Sequence, residues 1–308
     1  MAITAKDIQA LREATGVGMM DCKKALIESD GDMEKAIVLL REKGLAAAAK
    51  KASRVAAEGM VDAYVSEKDG SAVVLEVNIE TDFAAKNEAF IGFVKTLSNL
   101  IAENNPADVE ALSNLPYPGT EGTVQQEVQN MVLTIGENIQ IRRFESLNGG
   151  ANIVNASYVH MNGKIGVIAS MEVSENLVGN AEVVQVGKDL CMQAAAMRPS
   201  WLDRDSVPAD RVASEKEILM TQTVNEGKPA HVAEKIVAGR INKFFQEMCL
   251  MEQDFIKDGS VSVKKYVDGV AKSLGGEIKP VAFIRYERGE GIAKKEDNFA
   301  AEVAGMVK

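Results

Sequence analysis

The stretch that decides the fold runs from Val61 to Pro106, VDAYVSEKDGSAVVLEVNIETDFAAKNEAFIGFVKTLSNLIAENNP. Val61, Ala63 and Val65 alternate, Asp69-Gly70 turns, and Val73 to Ile79 runs as a strand, which predicts a β-hairpin. A long amphipathic helix is expected from about Ala84 to Glu103, with Phe90, Phe93, Val94, Leu97 and Ile101 on one side and Pro106 closing it. The same design returns from Ile153 to Pro199, IVNASYVHMNGKIGVIASMEVSENLVGNAEVVQVGKDLCMQAAAMRP. There Ile153 to His160 alternates, Asn162-Gly163 turns, Ile165 to Val173 is a strand, and a helix from about Leu177 stops before Pro199. Gly70 to Pro106 and Gly163 to Pro199 are both 36 residues apart. A matched turn, strand, helix and proline in one register marks an internal duplication, and predicts an α+β chain with two related subdomains.

Upstream, the first 44 residues predict three short helices. Thr4 caps a helix carrying Ile8 and Leu11, and Gly16 and Gly18 break it. Asp21 caps or charges a second helix with Ala25, Leu26 and Ile27. Gly31-Asp32 starts a third, with Ile37, Leu39 and Leu40, which Gly44 is expected to end. Ala46 to Arg54 then reads as an Ala-rich, basic helical connector. Between the repeats, Gln125 to Gly136 is expected to be helical and Gln140 to Leu147 a strand. Beyond Pro208, the helical segments Ala209–Asn225 and Pro229–Met248 are split by Glu226-Gly227-Lys228-Pro229. This is an αα-hairpin signal, with Gly ending one helix and Pro opening the next. Val261 to Leu274 is one more helix, Ile278 to Tyr286 one more strand, and Asp297 to Val307 a short amphipathic tail helix. The expected divisions are 1–55 for a helical module with its basic linker, 56–147 for the first core subdomain, 148–207 with 249–290 for the second, 208–248 for the inserted hairpin and 291–308 for the C-terminal module.

Composition narrows the function. With 35 Lys and Arg against 45 Asp and Glu in 308 residues, the net charge is −10. An acidic chain is a poor generic binder of phosphate backbones, so direct nucleic-acid binding is not expected. The longest uncharged stretch, Ser146 to Gly163, is rich in Asn and Gly and cannot span a bilayer, and MAITAKDIQ carries no secretion signal. Cys22, Cys191 and Cys249 are odd in number and widely spaced, which argues against a disulfide framework or zinc knuckle and for a reducing cytoplasm.

Bond-making chemistry finds little support. Gly187-Lys188 fails as a P-loop, because Glu182 stands where the first Gly is required and Asp189 where Ser or Thr is required. Gly289 and Gly291 are followed by Lys294 where GxGxxG needs a third Gly. No HExxH, GxSxG or EF-hand pattern occurs. His160 and His231 are the only histidines. One sits at a strand edge and the other near a helix start, where a lone His is more often a surface or packing residue than a catalyst.

Thr81-Asp82-Phe83 stands out. Thr81 or Asp82 can cap the following helix while Phe83 packs inward. The repeat aligns these residues with Ser174, Glu175 and Asn176. The cap recurs and the aromatic does not, so the scaffold does not require Phe83. A Phe beside an Asp at a helix mouth is then an alternative: a wedge for a partner protein.

These residues also carry a family resemblance. TGVGMMDCKKAL (Thr15–Leu26), AAKKASRVAAEG (Ala48–Gly59), VNIETDFAAKNEAF (Val77–Phe90), RPSWL (Arg198–Leu202) and FIRYERGEGI…FAAEVA (Phe283–Val303) resemble bacterial-type translation elongation factor Ts, over essentially the whole chain. The resemblance implies a cytoplasmic guanine-nucleotide exchange factor that binds elongation factor Tu, both GDP-bound and nucleotide-free, in a 1:1 or 2:2 complex. It implies no cofactor, metal or substrate turnover. By the resemblance, the N-terminal unit is a UBA-like three-helix module whose Arg12, Met19 and Met20 lie at the GTPase contact, although the two Met could instead pack the module's own core. Thr81, Asp82, Phe83 and Ala84 match the segment that intrudes near the Mg²⁺ site of the GTPase, with Ala84 standing where Val is common. His160 matches a position that touches another domain of the partner. The 208–248 insertion is similar to a protruding coiled coil, and Phe299 belongs to a C-terminal module that packs on the GTPase. The rival is a non-catalytic adaptor or chaperone-like protein that binds through its UBA-like module.

Overall fold

The structure, a computed structural model, describes residues 3–15 and 17–293. The tail helix expected over Asp297 to Val307, with Phe299, lies outside the described residues. Three helices open the chain: α1 Ala5–Thr15, α2 Met19–Glu28 and α3 Met33–Lys51. Thr4 caps α1 by accepting the Asp7 amide at 3.3 Å, while the Thr4 amide donates to the Asp7 carboxylate at 2.9 Å. Asp32 caps α3 by accepting the Lys35 amide. Asp21 charges the first turn of α2 and caps nothing. Leu11, Val17, Cys22, Ala25, Leu26, Ala36 and Leu40 close a small core. Gly44 does not end α3, contrary to expectation. The helix continues through the Ala-rich run, whose propensity outweighs one internal glycine costing about 1 kcal/mol. Gly44 is buried against the backbone of Gln129.

The first repeat is β1 Glu58–Val65, β2 Ala72–Ile79, a 3-10 turn at Ala84–Lys86 and α4 Glu88–Asn104. The short α5 Val109–Ser113, α6 Val124–Ile135 and β3 Ile139–Leu147 follow. The second repeat is β4 Ile153–His160, β5 Ile165–Val173, a 3-10 turn at Glu175–Leu177 and α7 Ala181–Met197. Next come α8 Ala209–Asn225, α9 Ala230–Met248, the small hairpin β6 Asp254–Phe255 and β7 Asp258–Ser262, α10 Val263–Leu274 and β8 Ile278–Glu287. Two three-stranded antiparallel sheets result, in the orders β1-β2-β3 and β4-β5-β8, beside the two-stranded β6-β7.

The repeat is more detailed than the hairpin-plus-helix pattern predicts. Neither long helix starts at Ala84 or Leu177. Each 3-10 turn comes first, and then Asn87 and Asn180 cap α4 and α7, each accepting the amide two residues on at 2.8 Å. Both helices end on a left-handed residue, Asn105 at φ 43° and Arg198 at φ 50°, immediately before the matching prolines. Val261 belongs to β7, so α10 begins two residues later than expected, on a Ser262 cap.

The two sheets pack face to face, with α4 covering the outer face of one and α7 that of the other. On β2, Val73, Leu75, Val77 and Ile79 meet α4. Ala72 and Val74, with Val61 of β1, face the opposite sheet and meet its Ile168 and Tyr286. Strands covered on both faces lose the apolar–polar alternation of a half-exposed sheet, and β2 is buried along its whole length. Gly166 sets the closeness of the sheets: a Cβ built there would lie 2.5 Å from Val61 Cγ1. Gly187, the residue of the failed P-loop, plays a similar part between α7 and its sheet, where a Cβ would lie 2.6 Å from that of Ala156. Gly166→Val is expected to destabilise the chain by about 1–3 kcal/mol through overpacking. A chemical-denaturation midpoint unchanged from the parent would contradict this account of the sheet contact.

Candidate partner-binding site

The Thr81–Lys86 turn leaves the end of β2 and is tied down along its backbone, where the Phe83 carbonyl accepts the Lys86 amide at 3.2 Å. Thr81 Oγ1 accepts the Ala84 amide at 3.2 Å, and the Thr81 carbonyl accepts the Ala85 amide at 3.1 Å. Thr81 therefore caps the turn, as the sequence allows. Ala84 and Ala85 are buried in the core under α4. Asp82 is not a cap. Its carboxylate pairs with Lys86 Nζ at 2.8 Å on the surface. That hydrogen bond and charge hold the Asp82 carboxyl below the usual carboxylate range.

Phe83 is 85% exposed. Inward packing, one of the two alternatives the sequence leaves open, is excluded. The backbone of Phe83 is ordinary right-handed helical at φ −69° and ψ −48°, so the side chain projects outward without strain. Beside it lies an open hollow whose other walls include Ala89, Thr134, Ile135 and Glu137, so α4, α6 and the loop before β3 all contribute. The hollow is lined mainly by apolar surface and rimmed by Lys86 and Glu137, the composition expected of a protein-binding patch.

The other sequence-named residues lie on other elements. Arg12 is exposed near the end of α1. Met19 and Met20 open α2 and are 52% and 65% exposed, so the module's core is built without them. Ile27 is also exposed and adds to that apolar surface. The helical module meets the rest through α3 and α6, and Leu133 of α6 packs on the module's core. Since Thr134 and Ile135 line the hollow beside Phe83, the last turn of α6 touches both regions. His160 ends β4, and its Nδ1 lies 2.9 Å from the Tyr158 hydroxyl. Met161, which the sequence reading passed over, is exposed next to it with a left-handed φ of 48°. The signal was a Met in the turn position before Asn162-Gly163.

The cysteines are all buried and free. Burial raises the thiol pKa of each, that of Cys249 to about 11, so none is poised as a thiolate. Among the described residues no cluster of His, Cys, Asp and Glu could hold a metal ion, and no helix is long and apolar enough to cross a membrane.

A family model described as Elongation factor TS matches residues 80–290. The elongation factor Ts of Clostridium perfringens (strain SM101 / Type A) is 48% identical over 304 residues, which cover 99% of each chain. That of Clostridioides difficile (strain 630) is 48% identical over 307 residues, again 99% of each. That of Syntrophotalea carbinolica (strain DSM 2380 / NBRC 103641 / GraBd1) is 47% identical over 309 residues and covers both chains fully.

Exposure separates the phenylalanine in the turn from the next one along the chain, Phe90. Phe83→Ala is expected to change stability by no more than about 0.5 kcal/mol. Phe90→Ala, at a fully buried position under the sheet, is expected to cost about 3–5 kcal/mol. Urea denaturation of both variants checks this, and an unfolding midpoint lowered equally by the two would place Phe83 in the core.

Proposed function

The chain belongs to the elongation factor Ts family, and from that premise we propose that it is a guanine-nucleotide exchange factor for elongation factor Tu in translation elongation. In this reading it works in the cytoplasm, binds the GTPase in GDP-bound and nucleotide-free forms, and uses Asp82 and Phe83 as a wedge beside the partner's Mg²⁺-binding region. The observation that supports the wedge is the 85% exposed Phe83 on a turn whose other residues are hydrogen-bonded or buried. An aromatic ring held out on a fixed backbone enters an interface with little loss of conformational freedom.

Such work needs no bond-making group. A nanomolar nucleotide complex is worth about 12 kcal/mol. A thousandfold faster release needs about 4 kcal/mol off the barrier. The factor supplies this by binding the distorted or empty GTPase better than the nucleotide-bound one, and the coupling is reciprocal: nucleotide weakens factor binding by the same factor. Displacing the Mg²⁺ shell is an effective route, because that ion bridges phosphate oxygens to protein. Arg12, Met19 and Met20 on the module, and His160 on the second sheet, serve as spaced holding contacts. The 208–248 hairpin and the segment with Phe299 are further contact regions in the same proposal.

Stopped-flow release of a fluorescent GDP from elongation factor Tu tests the proposal. The intact chain is expected to accelerate release strongly. Phe83→Ala is expected to lower that acceleration by about thirtyfold, the equivalent of losing a 2 kcal/mol hot spot. Binding without any acceleration by the intact chain would overturn exchange and leave an adaptor. Unchanged acceleration by Phe83→Ala would overturn the wedge alone.

A further inference from the structure

The two repeats fix the same turn by different means. In the second, the Ser174 amide donates to the backbone carbonyl of Glu277 at 3.0 Å, and the Glu277 amide donates back to Ser174 Oγ at 2.8 Å. Glu277 stands just ahead of β8, and its side chain has no part in this exchange. In the first, the residues just ahead of β3 take that place, but a carboxylate does the holding. The Thr81 amide donates to Glu137 Oε2 at 3.0 Å, and Thr81 Oγ1 donates to Glu137 Oε1 at 2.8 Å. One residue along, the pairing reverses, with the Asn138 amide donating to Glu80 Oε1 at 2.6 Å. The scaffold can thus secure this turn without a carboxylate, as the second repeat shows. The carboxylate occurs in the repeat whose turn carries the exposed aromatic.

Glu137 is well placed to matter. Its two oxygens occupy the Thr81 amide and hydroxyl proton, which leaves the Oγ1 lone pairs free to accept the Ala84 amide. Charge-assisted hydrogen bonds of this kind are roughly twice as strong as neutral ones. Thr81 and Ala84 bracket Asp82 and Phe83, so the clamp fixes the backbone on which the ring stands. Glu137 also borders the hollow beside Phe83.

We propose that Glu137 is a positioning residue: its carboxylate clamps Thr81 and so pre-organises Phe83 for its partner. The proposal rests on the exchange reading above for its effect on rate, whereas the clamp itself is measurable without a partner. A group acting through Phe83 must lose its influence once Phe83 is gone, and a double-mutant cycle detects that loss.

Two measurements on the full chain test this. Amide hydrogen exchange at Ala84 is expected to accelerate about tenfold in Glu137→Ala, while the matched amide of Leu177 in the second repeat stays unchanged. In the fluorescent-GDP assay, Glu137→Ala is expected to slow exchange about tenfold in the parent and to have no further effect in the Phe83→Ala background. Glu137→Gln, which keeps one acceptor oxygen for the two Thr81 donors, is expected to fall between parent and Glu137→Ala in both measurements. Unchanged Ala84 exchange in Glu137→Ala would overturn the clamp, whatever the exchange rates. Equal slowing by Glu137→Ala with and without Phe83 would show that Glu137 acts elsewhere. A Phe83→Ala variant that exchanges like the parent would sink the wedge reading, and the Ala84 amide would still decide the clamp.

Discussion

The contact between the inner faces of the two sheets is the constraint on which the rest depends. It leaves β2 without a solvent face and β5 nearly so, and demands glycine at the closest approach, Gly166, with mostly apolar residues elsewhere. The charged exception is Glu76, fully buried in β2 beside the polar Asn78, whose side-chain amide donates to it. A β-bulge between Glu76 and Val77 shifts the register with β3, and Arg142 and Arg143 both reach the Glu76 carboxylate, at 2.8 and 2.7 Å. The Gly289 amide adds a third bond at 2.8 Å. A slip of one residue would turn Glu76 into the apolar core under α4 and Leu75 toward the arginines. Burying that carboxylate away from its arginines would be strongly unfavourable, which penalises the slipped register.

Because the scaffold is fixed on both faces, what leaves it can be exposed at little cost. Phe83 forgoes burial, about 1.5–3 kcal/mol for such a side chain, on a turn otherwise held by backbone, hydroxyl and carboxylate bonds. The arrangement divides the phenylalanines: Phe90 and Phe93 fill the core, and Phe83 stands outside it. Met19, Met20 and Met161 follow the same rule on the helical module and the second sheet, each at the start of a helix or in a turn where no core claims it.

Much of this was legible in the sequence, for a physical reason. The duplicated Gly70 and Gly163 turns, both with positive φ, and the two prolines are backbone requirements, and such requirements are written in residue types. The caps Asn87 and Asn180 stand in the same register and could have been read there too. Gly44 misled because the residues after a glycine decide helix termination as much as the glycine itself, and here they are an alanine run. The β6–β7 hairpin and α5 are too short to show a period. Whether Phe83 packs or projects was undecidable from spacing, since an aromatic a few residues past a strand suits either. The comparison between repeats pointed outward only because Asn176 takes its place. Glu137 was invisible, because its partner Thr81 lies 56 residues away and only β3 pairing beside β2 brings them together.

The inserted α8–α9 hairpin raises the same question of how a projecting element keeps its direction. Few of its residues are buried: Thr223, Ala233, Val237 and Ile241 account for most of the seam. A two-helix arm with so thin an interior cannot orient itself, so its root must do so. There the Ser200 and Trp201 amides both donate to the Met248 carbonyl, and the Leu250 amide donates to that of Trp201. Arg204 stands at this root, paired with Glu252, bonded to Asn242 at 2.9 Å and stacked over Phe245 with its guanidinium 4.8 Å from the ring centre. One guanidinium thereby joins the segment before α8, the last turns of α9 and the turn beyond it. Arg suits this better than Lys, because a planar fork can hold a carboxylate, an amide and an aromatic face at once. The arm and the Phe83 turn are thus built alike: each projecting element is held by polar bonds at its base, and its own side chains stay largely exposed.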